Sequence, residues 1–343
     1  MKMEFVRRMP QPQELMRDYP LSAGLRQIKA ERDRQITVIL TGKDSRFLLI
    51  IGPCSADRED AVLEYMHRLA QLDRQVNEKL MIVPRVYTNK PRTRGVGYKG
   101  MLHQPDVHKE EDLAAGILAI RRLHTRILEE TGFSSADEML YPSNYSYLSD
   151  LLSYVAVGAR SVENQEHRLV SSGLGVPVGM KNPSAGDIRV MMNSIAAAQS
   201  PQEFIFRTWE VHTDGNPMTH AILRGYVDNF GRSYPNYHYE NLRELLELYK
   251  TSKLQNPAVI VDANHNNSDK DCLAQIRICF DVMHSRSLNE EIRDLVKGLM
   301  VESYLEDGSQ EIGGGVYGKS ITDPCLGWEK TEDLVLRLAE MIR

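Results

Sequence analysis

The side chains best able to do chemistry in this sequence stand at one recurring place, just downstream of short apolar runs. Leu48-Leu49-Ile50-Ile51 leads to Cys54, Met81-Ile82-Val83 to Arg85 and Lys90, and Val155-Ala156-Val157 to Arg160. Val176-Pro177-Val178 leads to Lys181, Ala221-Ile222-Leu223 to Arg224, Val259-Ile260-Val261 to Asp262 and His265, and Leu299-Met300-Val301 to Glu302. Two chemistries are present. Arg85, Lys90, Arg92, Arg160, Lys181 and Arg224 are cations that repel one another unless anions lie between them. A single Arg at a strand end is more often a surface ion pair, but six in the same register point to a shared anion. Arg offers a planar fork for phosphate and carboxylate, and Lys a point charge.

The second set is Cys54, His265, Glu302 and Asp323. A lone cysteine is usually core packing, and His265 could be satisfied inside its own turn, Asp262-Ala263-Asn264-His265-Asn266-Asn267-Ser268. Taken together, one thiolate, one imidazole and two carboxylates suit a single divalent ion such as Mn, Fe, Zn or Co, among which the ligand types do not choose. Such an ion with the six cations, less the three anionic ligands, leaves an excess of about five positive charges. Two phosphates at roughly −1.5 to −2 each and one carboxylate would balance it. Two phosphorylated substrates fit the charge better than one.

Chemistry confined to the carboxyl ends of strands is the habit of the (β/α)8 TIM barrel, whose site is built from the loops after the strands. Helical patterns intervene between the runs: Asp60 to Ala70, Ala114 to Leu128, Tyr147 to Leu152, Ile188 to Ala198, Tyr239 to Lys250, Asp269 to Met283, Asn289 to Lys297 and Thr331 to Arg343. Alternation of strand and helix implies parallel pairing with right-handed crossovers. Phe204-Ile205-Phe206 competes with Ala221-Ile222-Leu223 for the sixth strand. The ending in Arg224 favours the latter, so residues 203–213 are read as an extra hairpin or excursion. Residues 1–45 form an N-terminal extension whose apolar stripe, including Leu25, Ile28, Ile36 and Ile39, needs a cover that another subunit could supply. Residues 46–343 form the barrel. The glycine-rich loop 304–322 is long enough to act as a lid.

The 343 residues accommodate one barrel of this type. With 42% hydrophobic and 26% charged residues the composition is that of a globular protein. No apolar run reaches membrane length, so no membrane role is expected. A net charge of −5 argues against a nucleic-acid surface. Cys54, Cys272, Cys279 and Cys325 form no CxxC pair, which fits a reducing, cytoplasmic setting. Cys272 and Cys279 read as core. Gly95-Val96-Gly97 lacks the third glycine and helix of a dinucleotide fingerprint.

Lys90-Pro91-Arg92-Thr93 followed by Gly97-Tyr98-Lys99-Gly100 carries a resemblance. Together with Ile51-Gly52-Pro53-Cys54-Ser55, Gly158-Ala159-Arg160-Ser161, Pro177-Val178-Gly179-Met180-Lys181-Asn182, Ile222-Leu223-Arg224-Gly225, Val301-Glu302-Ser303 and Tyr317-Gly318-Lys319-Ser320-Ile321-Thr322-Asp323, it resembles the type I 3-deoxy-7-phosphoheptulonate synthases. The match runs in order from about Leu15 to the C-terminus. The resemblance implies condensation of phosphoenolpyruvate with erythrose 4-phosphate and water, the first step of the shikimate pathway of aromatic amino acid biosynthesis. It implies that phosphoenolpyruvate is held by Arg85, Lys90, Arg160, Lys181 and Arg224, with Glu138 near its phosphate. Arg92 and Thr93 would hold the aldehyde's phosphate, with Pro91 and Asp323 near its hydroxyls. Cys54, His265, Glu302 and Asp323 match the family's metal ligands, and a homodimer or homotetramer is expected. Lys90, Glu138, His265 and a metal-held water all stay open as the group that activates the attacking water.

The signature loop is one residue longer than in enteric members and has Tyr98 in place of Trp. The Trp209 to Arg224 segment is shorter, and Gly175 stands where feedback-inhibited relatives have serine, so weak or absent inhibition by phenylalanine or tyrosine is expected. Cys325, two residues beyond Asp323, is placed to pair with Cys54 on oxidation. The rival readings are a 3-deoxy-8-phosphooctulonate synthase acting on arabinose 5-phosphate, a Schiff-base aldolase using Lys181, and a catalytically inactive phosphosugar-binding barrel.

Overall fold

A computed structural model of the chain describes residues 2–92 and 95–342. Eight parallel strands form one sheet: Phe47–Gly52, Leu80–Pro84, Ala136–Glu138, Tyr154–Val157, Val178–Lys181, Thr219–Leu223, Val259–Asp262 and Val296–Glu302, here the first to eighth barrel strands. Their spatial order follows the chain around a ring, with the first strand paired to both the second and the eighth. A parallel bridge from Arg85 to Ala136 joins the second strand to the third and closes the barrel. Strands covered on both faces by other layers need no polar side, and Phe47–Gly52 is buried at every position.

The interior and the outer shell are separate apolar clusters. Leu48, Ile50, Met81, Val83, Tyr154, Ala156, Ile222, Ile260 and Met300 fill the inside, while Leu49, Ile51, Ile82, Val155 and Val261 face the surrounding helices. The alternation follows from the two-residue period of a strand. Ile36, Ile39 and Leu40, from the helix Ala23–Leu40, join the inner cluster. The carboxyl-terminal part of the apolar stripe is thus covered by the barrel floor of the same chain, while Ile28 is left 40% exposed.

Helix limits are set by capping. Asp112 accepts hydrogen bonds from the Ala114 and Ala115 amides to begin Leu113–Thr131, and Gly132 ends it at φ 74°. The helix read over Asp269 to Met283 begins only at Ala274, because Asp269 and Lys270 are left-handed, at φ 53° and 63°. Residues 147–152, read as a helix, are turns that follow a four-residue helix at Pro142–Tyr145. The extra hairpin is present as antiparallel Gln202–Phe206 and Trp209–Thr213, outside the barrel. A second small hairpin, Tyr226–Val227 with Ser233–Tyr234, follows the sixth strand. The 304–322 loop is stapled at its base, where Gly308 and Cys325 exchange backbone hydrogen bonds and the Gln310 amide donates to Ser320. No helix among the described residues is long and apolar enough to cross a membrane.

Candidate active site

At the carboxyl ends of the strands lies a cavity of about 300 Å3 whose lining includes Arg85, Lys90, Pro91, Arg92, Glu138, Arg160, Lys181, Arg224, His265 and Asp323. Among the expected substrate-binding residues only Thr93 lies outside the described residues. The parallel register places the residues that follow each strand around one rim, and this collects side chains up to 238 positions apart in the chain.

Asp323 lines one wall, and buried Cys54 and Glu302 stand with it, each of the three bringing a ligand atom within 4.8 Å of the other two. Lys90 Nζ stands among them, 2.7 Å from Cys54 Sγ and 3.0 Å from Asp323 Oδ2, while Lys270 Nζ holds the other Asp323 oxygen at 2.8 Å. His265 falls outside this group of three, although its Nε2 is 3.8 Å from Glu302 Oε1. Its Nδ1 lies 2.8 Å from Asp262 Oδ2 without the alignment of a hydrogen bond. Burial pushes the imidazole down, toward the neutral form that binds metals, against the opposing pull of Asp262 and Glu302. The fourth expected ligand is thus beside the cluster rather than in it.

Glu302 is fully buried and receives hydrogen bonds from Arg85 Nη2 at 2.8 Å and Asn264 Nδ2 at 2.7 Å. Burial alone would raise this carboxyl, but Arg85, His265 and Lys90 hold it below the usual range. Burial likewise raises the Cys54 thiol to about 11, with Glu302 adding to the rise and Lys90 opposing it. Lys90 would be lowered by burial, yet Cys54, Asp323 and Glu302 keep it firmly protonated. One thiol and two carboxylates held this close together, with a lysine ammonium beside them, are a donor set of the kind that fits a divalent ion, which would favour the thiolate.

The opposite wall is cationic. Lys181 Nζ is 3.4 Å from Glu138 Oε2 and 4.0 Å from Asp262 Oδ2. Tyr87 lies between two cations, with the Arg85 guanidinium 3.7 Å and Lys181 Nζ 5.3 Å from its ring centre. Arg224 is held down by burial and by Arg160 beside it, and its buried Nη1 has no hydrogen-bond partner. Buried donors are nearly always satisfied, so an orphaned guanidinium nitrogen in a cavity wall marks a place for an acceptor. Gly158 keeps space for the Glu138 carboxylate, since a Cβ there would lie 2.5 Å from Oε1. Arg92 sits nearer the mouth with its Nε bonded to the Tyr98 carbonyl at 2.7 Å.

Sequence reasoning passed over Lys270, Tyr87, Asn264 and Asn266. Tyr87, Asn264 and Asn266 follow the same apolar runs as Arg85 and His265, but a phenol and two amides are neither cations nor usual metal ligands, and Lys270 stands well beyond its run.

Residues 26–336 match the model of the DAHP synthetase I family. The Trp-sensitive phospho-2-dehydro-3-deoxyheptonate aldolase of Escherichia coli O157:H7 is 37% identical over 342 residues, covering 96% of this chain and 94% of that one. The Phe-sensitive enzyme of Escherichia coli strain K12 is 38% identical over 341 residues, covering 97% and 94%. A solved phospho-2-dehydro-3-deoxyheptonate aldolase from Francisella tularensis SCHU S4 superposes with a TM-score of 0.90 at 31% identity, covering 100% of this chain and 98% of that one. With eight parallel strands delivering the signature residues to one cavity, and with matches that span nearly the whole chain, this protein belongs to the DAHP synthetase I family.

Proposed function

We infer that this chain condenses phosphoenolpyruvate with erythrose 4-phosphate and water to give 3-deoxy-D-arabino-heptulosonate 7-phosphate and inorganic phosphate. The observation that carries the reading is a single cavity lined by Arg160, Lys181 and Arg224 and by Asp323, behind which buried Cys54 and Glu302 complete a donor cluster. Arg160, Lys181 and Arg224 neutralise the phosphate and carboxylate of phosphoenolpyruvate, and Arg85 lies under the same space. Arg92, which lines the cavity, takes the aldehyde's phosphate together with Thr93, which lies outside the described residues. Held this way, carbon 3 of phosphoenolpyruvate faces the aldehyde carbon, and the reaction gains from orientation rather than from a covalent enzyme intermediate.

Cys54, Glu302 and Asp323, with His265 drawn in, would hold one divalent ion. Such an ion supplies Lewis-acid polarisation of a carbonyl oxygen. Lys90, protonated between Cys54 and Asp323, directs its charge toward phosphoenolpyruvate. As carbon 3 bonds to the aldehyde carbon, positive character develops at carbon 2 and water adds there. The phosphate then leaves by C–O cleavage. We assign Glu138 to receive the water's proton: it lines the cavity with Lys181 as its partner, whereas Lys90 is kept protonated and His265 is engaged with Asp262 and Glu302. The Arg and Lys groups stabilise the charge that develops on the departing phosphate.

The hairpin side chains Ile205 and Trp209 are 81% and 73% exposed, and Phe5 and Val6 are exposed in the N-terminal stretch. A second copy of the chain is the cover we assign to these apolar groups, as a homodimer or homotetramer, which light scattering would measure. Four free, buried cysteines support a cytoplasmic setting. Gly175 offers no hydroxyl where feedback-inhibited relatives carry serine, and we read this as insensitivity to phenylalanine and tyrosine. Inhibition by either at micromolar concentration would remove that part of the reading.

The test of function is phosphoenolpyruvate consumption by chelator-stripped protein before and after Mn²⁺, with erythrose 4-phosphate or arabinose 5-phosphate. Metal-restored turnover with the four-carbon aldehyde is expected. Turnover with the five-carbon sugar alone, or none with either, would overturn the reading.

A further inference from the structure

The barrel is weakest between its second and third strands. The first strand shares five register pairs with the second and five with the eighth, whereas the second and third meet only at the Arg85 to Ala136 bridge. Beyond that bridge the chain must still place two groups that face the substrates, Lys90 and Glu138. Glu138 is two residues past the bridge on its strand, and Lys90 five past it on the other.

A buried carboxylate takes over at this place. Asp137 Oδ1 accepts hydrogen bonds from the Thr88 amide at 3.0 Å and the Glu138 amide at 2.7 Å, and Oδ2 accepts from the Thr88 hydroxyl. Thr88 is fully buried and Asp137 is 3% exposed. Side chains alternate along a strand, so Asp137 points to the helix side while Glu138 points into the cavity. His124, from the helix Leu113–Thr131, comes to 3.6 Å from Asp137 Oδ2 and is equally buried. Neither ring nitrogen of His124 has a hydrogen-bond partner in the structure. A buried carboxylate is costly unless donors surround it, and here the donors are the backbone and hydroxyl of the residue two before Lys90. The chain around Thr88 is tight as well. Its carbonyl accepts from the Leu102 amide, and a Cβ on Gly100 would lie 2.3 Å from it.

We propose that Asp137 and Thr88, with His124 behind them, are positioning residues for phosphoenolpyruvate: their side-chain clasp replaces the missing backbone ladder and sets where Lys90 and Glu138 stand. The proposal rests on the functional reading above. The clasp acts more on phosphoenolpyruvate than on the aldehyde phosphate. Arg92 has its own anchor in the Tyr98 carbonyl, and the Tyr98 hydroxyl is tied in turn to the Ala56 carbonyl at 3.0 Å.

The experiment compares Thr88→Val, Thr88→Ser and Asp137→Asn with the unmodified protein, each loaded with Mn²⁺. It reads the phosphoenolpyruvate dissociation constant by calorimetry without aldehyde, then kcat and both KM values, with a thermal melt as control. A displacement of about 1 Å in a catalytic group costs on the order of 100-fold. Thr88→Val is expected to weaken phosphoenolpyruvate binding tenfold or more and to lower kcat. The KM for erythrose 4-phosphate should stay within threefold, and Thr88→Ser should stay within threefold of the unmodified protein throughout. If Thr88→Val does not fold, Asp137→Asn, which keeps the side-chain volume, carries the same expectation. Unchanged phosphoenolpyruvate affinity in a folded variant, even one with a lower melting temperature, overturns the proposal. So does a Thr88→Ser protein as impaired as Thr88→Val. Failure of the unmodified protein to bind phosphoenolpyruvate would instead overturn the functional reading, so the two failures are distinguishable.

Discussion

Arg85→Met in metal-stripped protein isolates the strongest electrostatic contact of the site. Arg85 is 1% exposed; it donates to the Pro53 carbonyl and to Glu302, and lies over Tyr87. Removing it leaves Glu302 with the Asn264 hydrogen bond and, more distantly, the charges of His265 and Lys90. Breaking a buried ion pair from one side costs about 3–5 kcal/mol. Unfolding entropy of about 2.1 cal/mol/K per residue gives about 0.7 kcal/mol/K for a chain of this length, so the melting temperature should fall by roughly 4–7 °C. The sign of the pH dependence is also determined. In the unmodified protein the Glu302 carboxyl is held below its ordinary value, so its stabilisation is present at neutral pH and lost as pH falls through the folded value. Burial is already the largest single influence on Glu302, and without Arg85 only His265 and Lys90 oppose it, so the carboxyl moves up and the variant gains stability relative to the unmodified protein as pH falls from 7 toward about 5. Calorimetric melts at the two pH values, with Glu302→Gln added in the double variant, are the assay. The double variant should recover most of the loss. A single variant melting within about 1 °C of the unmodified protein at both pH values would refute the reasoning.

His220 gives a second test, away from the cavity. Burial holds its imidazole down to about 4, and its Nε2 is paired with the Tyr154 hydroxyl at 2.8 Å. The unfolded chain takes up a proton between about 6.5 and 4 that the fold resists, so acidification through that window costs up to about 3 kcal/mol. His220→Gln should flatten that part of the difference in melting temperature between pH 7 and 4, and an unchanged difference would contradict the assignment. The Cys54 amide donates to Cys325 Sγ at 3.3 Å, which brings the two thiols together. Burial raises both, so peroxide should inactivate slowly, with loss of both thiols and of metal affinity. Inactivated enzyme retaining both thiols in a mass-spectrometric count would rule out the pairing.

Cys54, Arg85, Arg160, Lys181, Arg224, His265 and Glu302 were readable as candidates because each follows an apolar run, and a parallel barrel turns the ends of such runs into one rim; Asp323 and Glu138 follow none. The class of ligand followed from side-chain type alone: guanidinium and ammonium groups for phosphates, and thiolate, imidazole and carboxylate for a metal. The extra hairpin was legible too, since Phe204-Ile205-Phe206 offered one strand more than the barrel needed. The third strand was not. Ala136-Asp137-Glu138 contains no apolar run, and it is a strand because the fourth strand pairs along it. The same segment holds the Thr88 clasp, whose partners are 49 positions apart. Equally hidden were the plugging of the barrel floor by Ile36, Ile39 and Leu40, the second lysine on Asp323, and the stand-off of His265 from the other three donors. Periodicity and residue type are local properties, and the chain's order records them. Distances of 3 to 4 Å between loops that follow different strands depend on barrel closure and on left-handed turns such as that at His265, at φ 51°, and only the folded chain decides those.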